Sequence, residues 1–200
     1  TLLELGGNSA IIVTEHADLS LALKALDFGA VGTAGQRCTT TRRVLIHESR
    51  YASVRDALIK AYQSLHIGNP LDMHNHVGPL IDREAVMAMQ RALSRVQEEG
   101  AKILYGGEVL SGAGYESGCY VRPAIIEAQN HWATVQEETF APILYLIRYS
   151  GDVSEAIKLQ NAVPQGLSSS IFSTQMQECE TFLSAWGSDC GLANVNIGTS

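Results

Sequence analysis

Patterns typical of strands and of helices alternate along the whole chain, and this alternation limits the fold more than any other feature. Short apolar runs, such as residues 10–13 and 143–147, are typical of buried strands. They are separated by stretches in which apolar residues recur at helical spacing. Strands connected through helices form βαβ units, in which the strands run parallel. The sequence therefore predicts an α/β fold, with a mostly parallel open sheet and helices on both faces, in one domain of residues 1–200.

Capping and turn residues indicate where these elements begin and end. Asp18, Asp82 and Asp152 each precede a helical pattern, and an aspartate side chain can accept hydrogen bonds from the free N–H groups at a helix start. The glycine-containing stretch 106–118 predicts a loop. The last predicted helix spans residues 176–186. The other predicted strands are residues 43–47, 102–105, 119–126, 167–172 and 192–197.

Charge and apolar content restrict the partners that the chain can have. It contains 14 Lys and Arg against 21 Asp and Glu, which gives a formal net charge of −7, and 46% of its residues are apolar. We expect such an acidic globular chain to bind neither nucleic acid nor an anionic membrane surface. Its apolar runs, such as residues 141–147, are too short to cross a bilayer. The chain starts without methionine and ends in an apolar segment, so we expect a piece of a longer protein.

The cysteine and histidine pattern favours reduced thiols and no metal. The four cysteines form no CxxC pair, which excludes a zinc ribbon and a thioredoxin motif. A chain of this size needs no disulfide framework, so we expect free thiols and a cytoplasmic location. His74 and His76 lack the further ligands that a metal site requires, and we expect no metal site.

Cys38 is a candidate nucleophile because of the segment around it. In residues 32–40, glycines and other small residues lead from a helix into a turn before a strand. Glycines let the backbone approach a ligand closely, and a turn presents the thiol outward. The thiolate is the reactive form of cysteine, so the site must also supply a base or an activating environment. From spacing alone, a buried structural cysteine is the commoner alternative.

Two glutamates are distinguished by their neighbours. Glu4 lies in an apolar run that ends in two glycines, and a carboxylic acid in apolar surroundings suits a general base near neutral pH. The alternative is an edge-strand glutamate that points to water. Glu138 precedes Phe140 and a strand. A carboxylate there could accept hydrogen bonds from a ribose diol while the ring packs on a flat ligand. The alternative is an exposed acidic turn with a buried phenylalanine.

These three segments occur in the same order in the aldehyde dehydrogenase superfamily, which the chain resembles from residue 1 to residue 200. The family's general-base motif is similar to LELGG at residues 3–7, and its nucleophile motif is similar to GQRC at residues 35–38. Its nicotinamide-ribose motif is similar to ETFAP at residues 138–142. Within the family, the chain most resembles the antiquitin branch, which comprises the α-aminoadipic semialdehyde dehydrogenases.

The resemblance implies that an aldehyde is oxidised to a carboxylic acid through a cysteine thioester. It makes Cys38 the nucleophile and Glu4 the base that activates water for hydrolysis. Arg37 stands where the antiquitin branch has a substrate-binding arginine, which implies α-aminoadipic semialdehyde or a similar semialdehyde as substrate. The implied cofactor is NAD, with NADP as an alternative. Its implied contacts are Glu138, Phe140, Leu5 and Gly6.

The resemblance also implies parts of the family that this sequence does not contain. These are a nucleotide-binding domain before Thr1, an asparagine of the oxyanion hole, and a C-terminal segment after Ser200 with an oligomerising strand. We therefore expect residues 1–200 to be the catalytic domain of a homo-oligomer, as in a homotetramer, and to be inactive alone. The alternative is a non-catalytic truncated domain or pseudoenzyme that serves as a binding or structural module.

Overall fold

The computed structural model describes residues 1–3 and 5–200, which form a seven-stranded sheet with helices around it. The strands are β1 (Ser9–Val13), β2 (Thr41–His47), β3 (Lys102–Tyr105), β4 (Ala124–Glu127), β5 (Ile143–Tyr149), β6 (Ser168–Phe172) and β7 (Leu192–Val195). The helices are α1 (Leu19–Val31), α2 (Glu48–Gln63), α3 (Arg83–Glu98), α4 (Ala133–Gln136), α5 (Val153–Asn161) and α6 (Met176–Leu183).

The strand order explains why helices cover both faces of the sheet. The order is β3-β4-β5-β2-β1-β6-β7, and every neighbouring pair is parallel except β3 and β4. The connection from β1 to β2 runs across the sheet in one direction, and the connection from β6 to β7 runs in the other. Because such crossovers are right-handed, α1 and α6 lie on opposite faces. The predicted α/β fold with a mostly parallel sheet is therefore confirmed.

The central strands form the core of this layered structure. All five residues of β1 are buried, and Ile11, Ile12 and Val13 have no solvent-accessible surface. In β2 and β5 only Arg148 is exposed. Continuous burial of this kind is typical of parallel strands covered on both faces. It holds β5, β2 and β1 side by side in the middle of the sheet.

The predicted strand 119–126 is wrong in its first part. The strand β4 begins only at Ala124, immediately after Pro123. Proline has no N–H to donate to a sheet ladder, so it marks the limit of pairing. The residues before it pair with the preceding loop instead, where the N–H of Leu110 donates to the carbonyl of Tyr120.

The sequence prediction placed the end of α6 wrongly and gave neither the direction of β3 nor the helix α4. The helix α6 ends at Leu183 and does not reach Trp186, whose surface is 92% exposed. The strand β3 pairs antiparallel with β4, because a loop without a helix joins them. The helix α4 was not predicted, since four residues are too few to show helical spacing.

The predicted helix starts at Asp18, Asp82 and Asp152 are confirmed. Each aspartate side chain accepts a hydrogen bond from a backbone N–H in the first turn, and for Asp82 the donor is the N–H of Ala85 at 2.8 Å. These bonds satisfy donors that have no partner inside the helix. None of the described helices has the length and apolar character needed to cross a membrane.

We predict that Asp82→Ala lowers the free energy of unfolding by about 1 kcal/mol, because the N–H of Ala85 loses its acceptor. Asp82→Asn keeps an acceptor oxygen and should lose only a small part of that stability. Urea unfolding followed by circular dichroism measures both variants. Equal losses in the two variants would contradict the capping role.

Candidate functional site

The segments singled out in the sequence meet at one edge of the sheet. The strands β5, β2 and β1 are neighbours and run parallel, and the first residue of β1, Ser9, is paired with the first residue of β2, Thr41. The chain therefore enters all three strands from the same side. The three entering segments are the N-terminal segment (residues 5–8), the cysteine turn (residues 32–40) and the acidic segment (residues 136–142).

The cysteine turn begins in an unusual backbone conformation. Thr33, Ala34 and Gly35 all have positive φ angles, of 53°, 53° and 70°. This left-handed region is costly for side chains with a Cβ, and most of all for a β-branched residue such as Thr33. The turn is closed further on, where the N–H of Thr40 donates to the Arg37 carbonyl at 3.1 Å. Cys38 lies within this closed part and is partly exposed.

Glycines allow the other two segments to touch the cysteine turn through their backbones. A Cβ at Gly35 would collide with the backbone at Ala141, in the acidic segment. A Cβ at Gly7, in the N-terminal segment, would collide with the carbonyl oxygen of Cys38. No larger residue fits these positions without moving backbone. The N–H of Cys38 has no acceptor among residues 1–3 and 5–200, so it remains available to a ligand.

A buried arginine that the sequence analysis did not identify joins all three segments. The side chain of Arg42, at the start of β2, is only 2% exposed. Burial lowers its pKa, and the neighbouring carboxylate of Glu138 opposes that shift. Its guanidinium donates to the oxygens of Gly7 (3.3 Å), Gly35 (3.5 Å), Arg37 (3.1 Å), Thr139 (2.5 Å) and Glu138 (2.9 Å).

The carboxylate of Glu138 is held by one of its two oxygens. Oε1 accepts hydrogen bonds from Arg42 Nη2 at 2.9 Å and from the Gly7 N–H at 3.0 Å. Oε2 lies against Gly6, where a Cβ would occupy the same space. No hydrogen bond to Oε2 is present in the part of the chain that the structure describes. Glu138 therefore presents a fixed, anionic acceptor that can bind hydroxyl groups of a ligand.

Phe140, two residues after Glu138, lines a cavity. The cavity has a volume of about 540 Å³, and its other lining residues are Thr33, Gln36, Pro79, Leu80 and Ile81. The Gln36 amide shapes it, since its oxygen accepts a hydrogen bond from the Ile81 N–H at 2.8 Å and thereby ties the loop before α3 to the cysteine turn. Phe140 is 38% exposed and not buried, which suits packing against a flat ring.

Arg37 directly precedes Cys38, and its guanidinium is not paired with a carboxylate in the described part of the chain. Its guanidinium carbon is 5.5 Å from the ring centroid of Phe28, a cation–π contact with a ring that is itself 58% exposed. Within residues 1–3 and 5–200, no carboxylate forms an ion pair with Arg37. The guanidinium can therefore donate hydrogen bonds to the carboxylate of a ligand.

A second buried arginine supports the N-terminal segment from the other face of the sheet. Arg43 follows Arg42 in β2, and successive strand residues point to opposite faces. Its guanidinium donates to the backbone and side-chain oxygens of Asn8, and to carbonyls at the end of α5. Burial lowers the pKa of Arg43 to about 9. The partial negative charge at the α5 C-terminus compensates part of the buried charge.

The structure brings Gly6, Glu138, Phe140, Arg37 and Cys38 together around Arg42. Leu5, which directly precedes Gly6, is 73% exposed. The predicted base, Glu4, lies outside the described residues. Among the described residues, no group of three or more His, Cys, Asp or Glu could hold a metal ion.

The chain is similar in sequence to known proteins. A family model described as the aldehyde dehydrogenase family matches residues 1–200. The chain is 48% identical over 200 residues to aldehyde dehydrogenase family 7 member A1 of Pisum sativum, and the match covers 100% of this chain and 38% of that protein. It is 47% identical over 201 residues to alpha-aminoadipic semialdehyde dehydrogenase of Mus musculus, with 100% and 36% covered. The chain thus spans less than two fifths of these relatives.

The fold is also similar to solved structures. Betaine aldehyde dehydrogenase from Staphylococcus aureus in complex with NAD+ superposes with a TM-score of 0.92 at 28% sequence identity. The match covers 97% of this chain and 38% of that one. The similarity therefore includes nearly the whole of this chain.

We predict that Gly7→Ala lowers the free energy of unfolding by about 1–3 kcal/mol, because the added methyl group collides with the Cys38 carbonyl. Gly32→Ala is the matched control, since the nearest atom to its Cβ would be 3.9 Å away and its φ is −52°. Urea unfolding of the two variants measures the difference. Similar midpoints for both would contradict the close approach at Gly7.

Proposed function

This chain belongs to the aldehyde dehydrogenase family, and we propose that the whole protein oxidises an aldehyde to a carboxylic acid with a nicotinamide cofactor. The observation that carries the proposal is the convergence of three segments on Arg42. One segment contains Cys38, one directly follows Glu4, and one contains Glu138 and Phe140. A nucleophile, a base and a cofactor contact are the parts that this reaction needs.

In the proposal, Cys38 is the nucleophile. Its thiolate adds to the aldehyde carbon, so that a C–S bond forms and the carbonyl oxygen becomes an oxyanion. Support comes from the Cys38 N–H, which has no acceptor in the described part of the chain and can donate to that oxyanion. When bound, the nicotinamide cofactor supplies the acceptor for the hydride. Loss of the hydride leaves a thioester on Cys38.

Glu4 is the proposed base for the second half of the reaction. Its carboxylate takes a proton from water while the water oxygen attacks the thioester carbon. The C–S bond then breaks, the carboxylic acid is released and Cys38 returns as a thiolate. The support is that the segment following Glu4 packs its Gly7 directly on the Cys38 carbonyl.

The residues around Glu138 fit a nicotinamide cofactor. Oε1 is held by Arg42 and Gly7, and Oε2 is left to accept hydrogen bonds from ribose hydroxyls. Phe140 offers a partly exposed ring at the wall of a cavity. We assign Gly6 and Leu5 to the same site, because Gly6 borders Oε2. NAD is the proposed cofactor and NADP the alternative; the S. aureus neighbour was solved in complex with NAD+.

Arg37 favours a substrate that carries a carboxylate at some distance from its aldehyde group. Arg37 directly precedes Cys38 in the chain, and its guanidinium forms no ion pair with a carboxylate among the described residues. A guanidinium binds a carboxylate through paired, charge-assisted hydrogen bonds. The M. musculus relative is named for α-aminoadipic semialdehyde. We propose this compound or a similar semialdehyde as the substrate.

Other observations bear on the assembly, location and partners of the proposed enzyme. We propose that residues 1–200 are its catalytic domain and that it forms a homo-oligomer, such as a tetramer. The exposed apolar side chains of Trp186, Leu192 and Ile197, near the edge strand β7, support an assembly. Free cysteines support a cytoplasmic location. The net charge of −7 argues against nucleic acid as a partner.

Two substitutions separate the half-reactions in the full-length protein. We predict that Cys38→Ser abolishes both the first burst of NADH and the later turnover, whereas Cys119→Ser leaves both unchanged. Glu4→Gln should keep the burst, slow the turnover and leave a thioester detectable by mass, because only hydrolysis needs the base. The absorbance of NADH after rapid mixing of enzyme, NAD and aldehyde follows both phases. A normal burst in Cys38→Ser would contradict the proposed nucleophile.

The substrate proposal is tested at Arg37. We predict that Arg37→Ala raises KM for α-aminoadipic semialdehyde by about tenfold or more and leaves KM for hexanal unchanged, because a charge-assisted hydrogen bond contributes about 1.5–3 kcal/mol. Arg37→Lys keeps the charge without the planar fork and should fall between the two. Steady-state kinetics with both aldehydes gives the comparison. An equal fall in kcat for both aldehydes would place Arg37 in thiolate activation instead.

A further inference from the structure

We propose that Arg42 is a positioning residue for the cofactor: it fixes the Glu138 carboxylate so that one oxygen faces the ligand. The inference rests on the proposed function in one respect, that the ligand of Glu138 is a nicotinamide cofactor. It adds a residue of this chain that touches neither the reacting atoms nor the cofactor but acts through Glu138.

Hydrogen bonds within the protein set the orientation of the Glu138 carboxylate. A glutamate carboxylate can rotate about its last side-chain bond, and that bond has broad preferences. Two donors, Arg42 Nη2 and the Gly7 N–H, bind the same oxygen, Oε1, at 2.9 and 3.0 Å. With Oε1 fixed, Oε2 has one location, beside Gly6. The carboxylate is thus oriented before any ligand arrives, which lowers the entropic cost of binding.

A guanidinium is required to hold Glu138 in this way. The same nitrogen that binds Glu138 also donates to the Arg37 carbonyl at 3.1 Å, and the other terminal nitrogen donates to the Thr139 carbonyl at 2.5 Å. The guanidinium carbon is 5.4 Å from the ring centroid of Phe140. A lysine ammonium can replace one of these contacts but not the planar set. Arg42 therefore holds Glu138 relative to both the cysteine turn and Phe140.

An ion-paired arginine outside the site provides the control. Arg122, just before β4, pairs with Glu108 in the preceding loop. Neither residue belongs to the three segments that meet at Arg42. Arg122→Lys is therefore a matched control for the change of an ion-paired guanidinium to an ammonium.

The experiment measures NAD binding to the full-length protein by calorimetry, without aldehyde, together with Tm. We expect Arg42→Lys to raise the Kd for NAD about tenfold, because a Glu138 carboxylate that is no longer fixed loses about one charge-assisted hydrogen bond to the cofactor. In a Glu138→Gln background, the same change should raise Kd by less than about twofold, because coupled residues are not additive. Arg122→Lys should change Kd by less than about twofold.

Three results would overturn the proposal. The first is that the effects of Arg42→Lys and Glu138→Gln multiply, which would mean that Arg42 does not act through Glu138. The second is that Arg122→Lys weakens NAD binding as much as Arg42→Lys does. The third is that neither Arg42→Lys nor Arg42→Gln folds while Arg122→Lys does, which would make Arg42 a structural residue only. If the unsubstituted protein binds no NAD, the proposed function fails before this question arises.

Discussion

The ion pair between Arg42 and Glu138 is the interaction on which the candidate site depends. A guanidinium that is almost fully buried is costly unless charge and hydrogen bonds compensate it. Glu138 supplies the opposite charge, and carbonyls from two other segments satisfy the remaining donors. Removing one partner of such a pair leaves an unpaired buried charge and is strongly destabilising. Stability and site geometry are therefore maintained by the same atoms.

The strand β2 makes this arrangement possible because two arginines follow each other at its start. The alternating direction of side chains sends Arg42 to one face and Arg43 to the other. Arg42 binds the cysteine turn and the acidic segment, whereas Arg43 binds the end of α5. Arg42 also donates to the Gly7 carbonyl and Arg43 to the Asn8 carbonyl, so the N-terminal segment is fixed from both faces of the sheet.

Much of the fold could be predicted from the sequence, because its signals are local. Apolar runs gave the central strands, and aspartates gave the helix starts. The direction of β3 follows from the helix-free loop that joins it to β4, and the extent of β4 depends on hydrogen bonds with that loop; neither appears as a period in the sequence. The resemblance to the aldehyde dehydrogenases, given by three short motifs, is confirmed over the full chain.

The site could be predicted only in part, for a related reason. Cys38, Arg37, Glu138 and Phe140 lie in recognisable motifs, whereas Arg42 lies in a strand where a charged residue is rarely buried. Its main partner is 96 positions away in the sequence. Local spacing has no information about such a contact. The role of Glu4 stays a prediction, since that residue is outside the described part of the chain.

The location of the site at the entrance of β1, β2 and β5 has a consequence for how such a protein can vary. In open α/β sheets, ligands usually bind beyond the carboxyl ends of the strands, where loop length and sequence determine specificity. Here the loops that leave β1, β2 and β5 lie on the side away from Cys38. We therefore expect insertions or deletions in those loops to leave the candidate site in place. The entering segments are bound together through Arg42 and should tolerate little change in length.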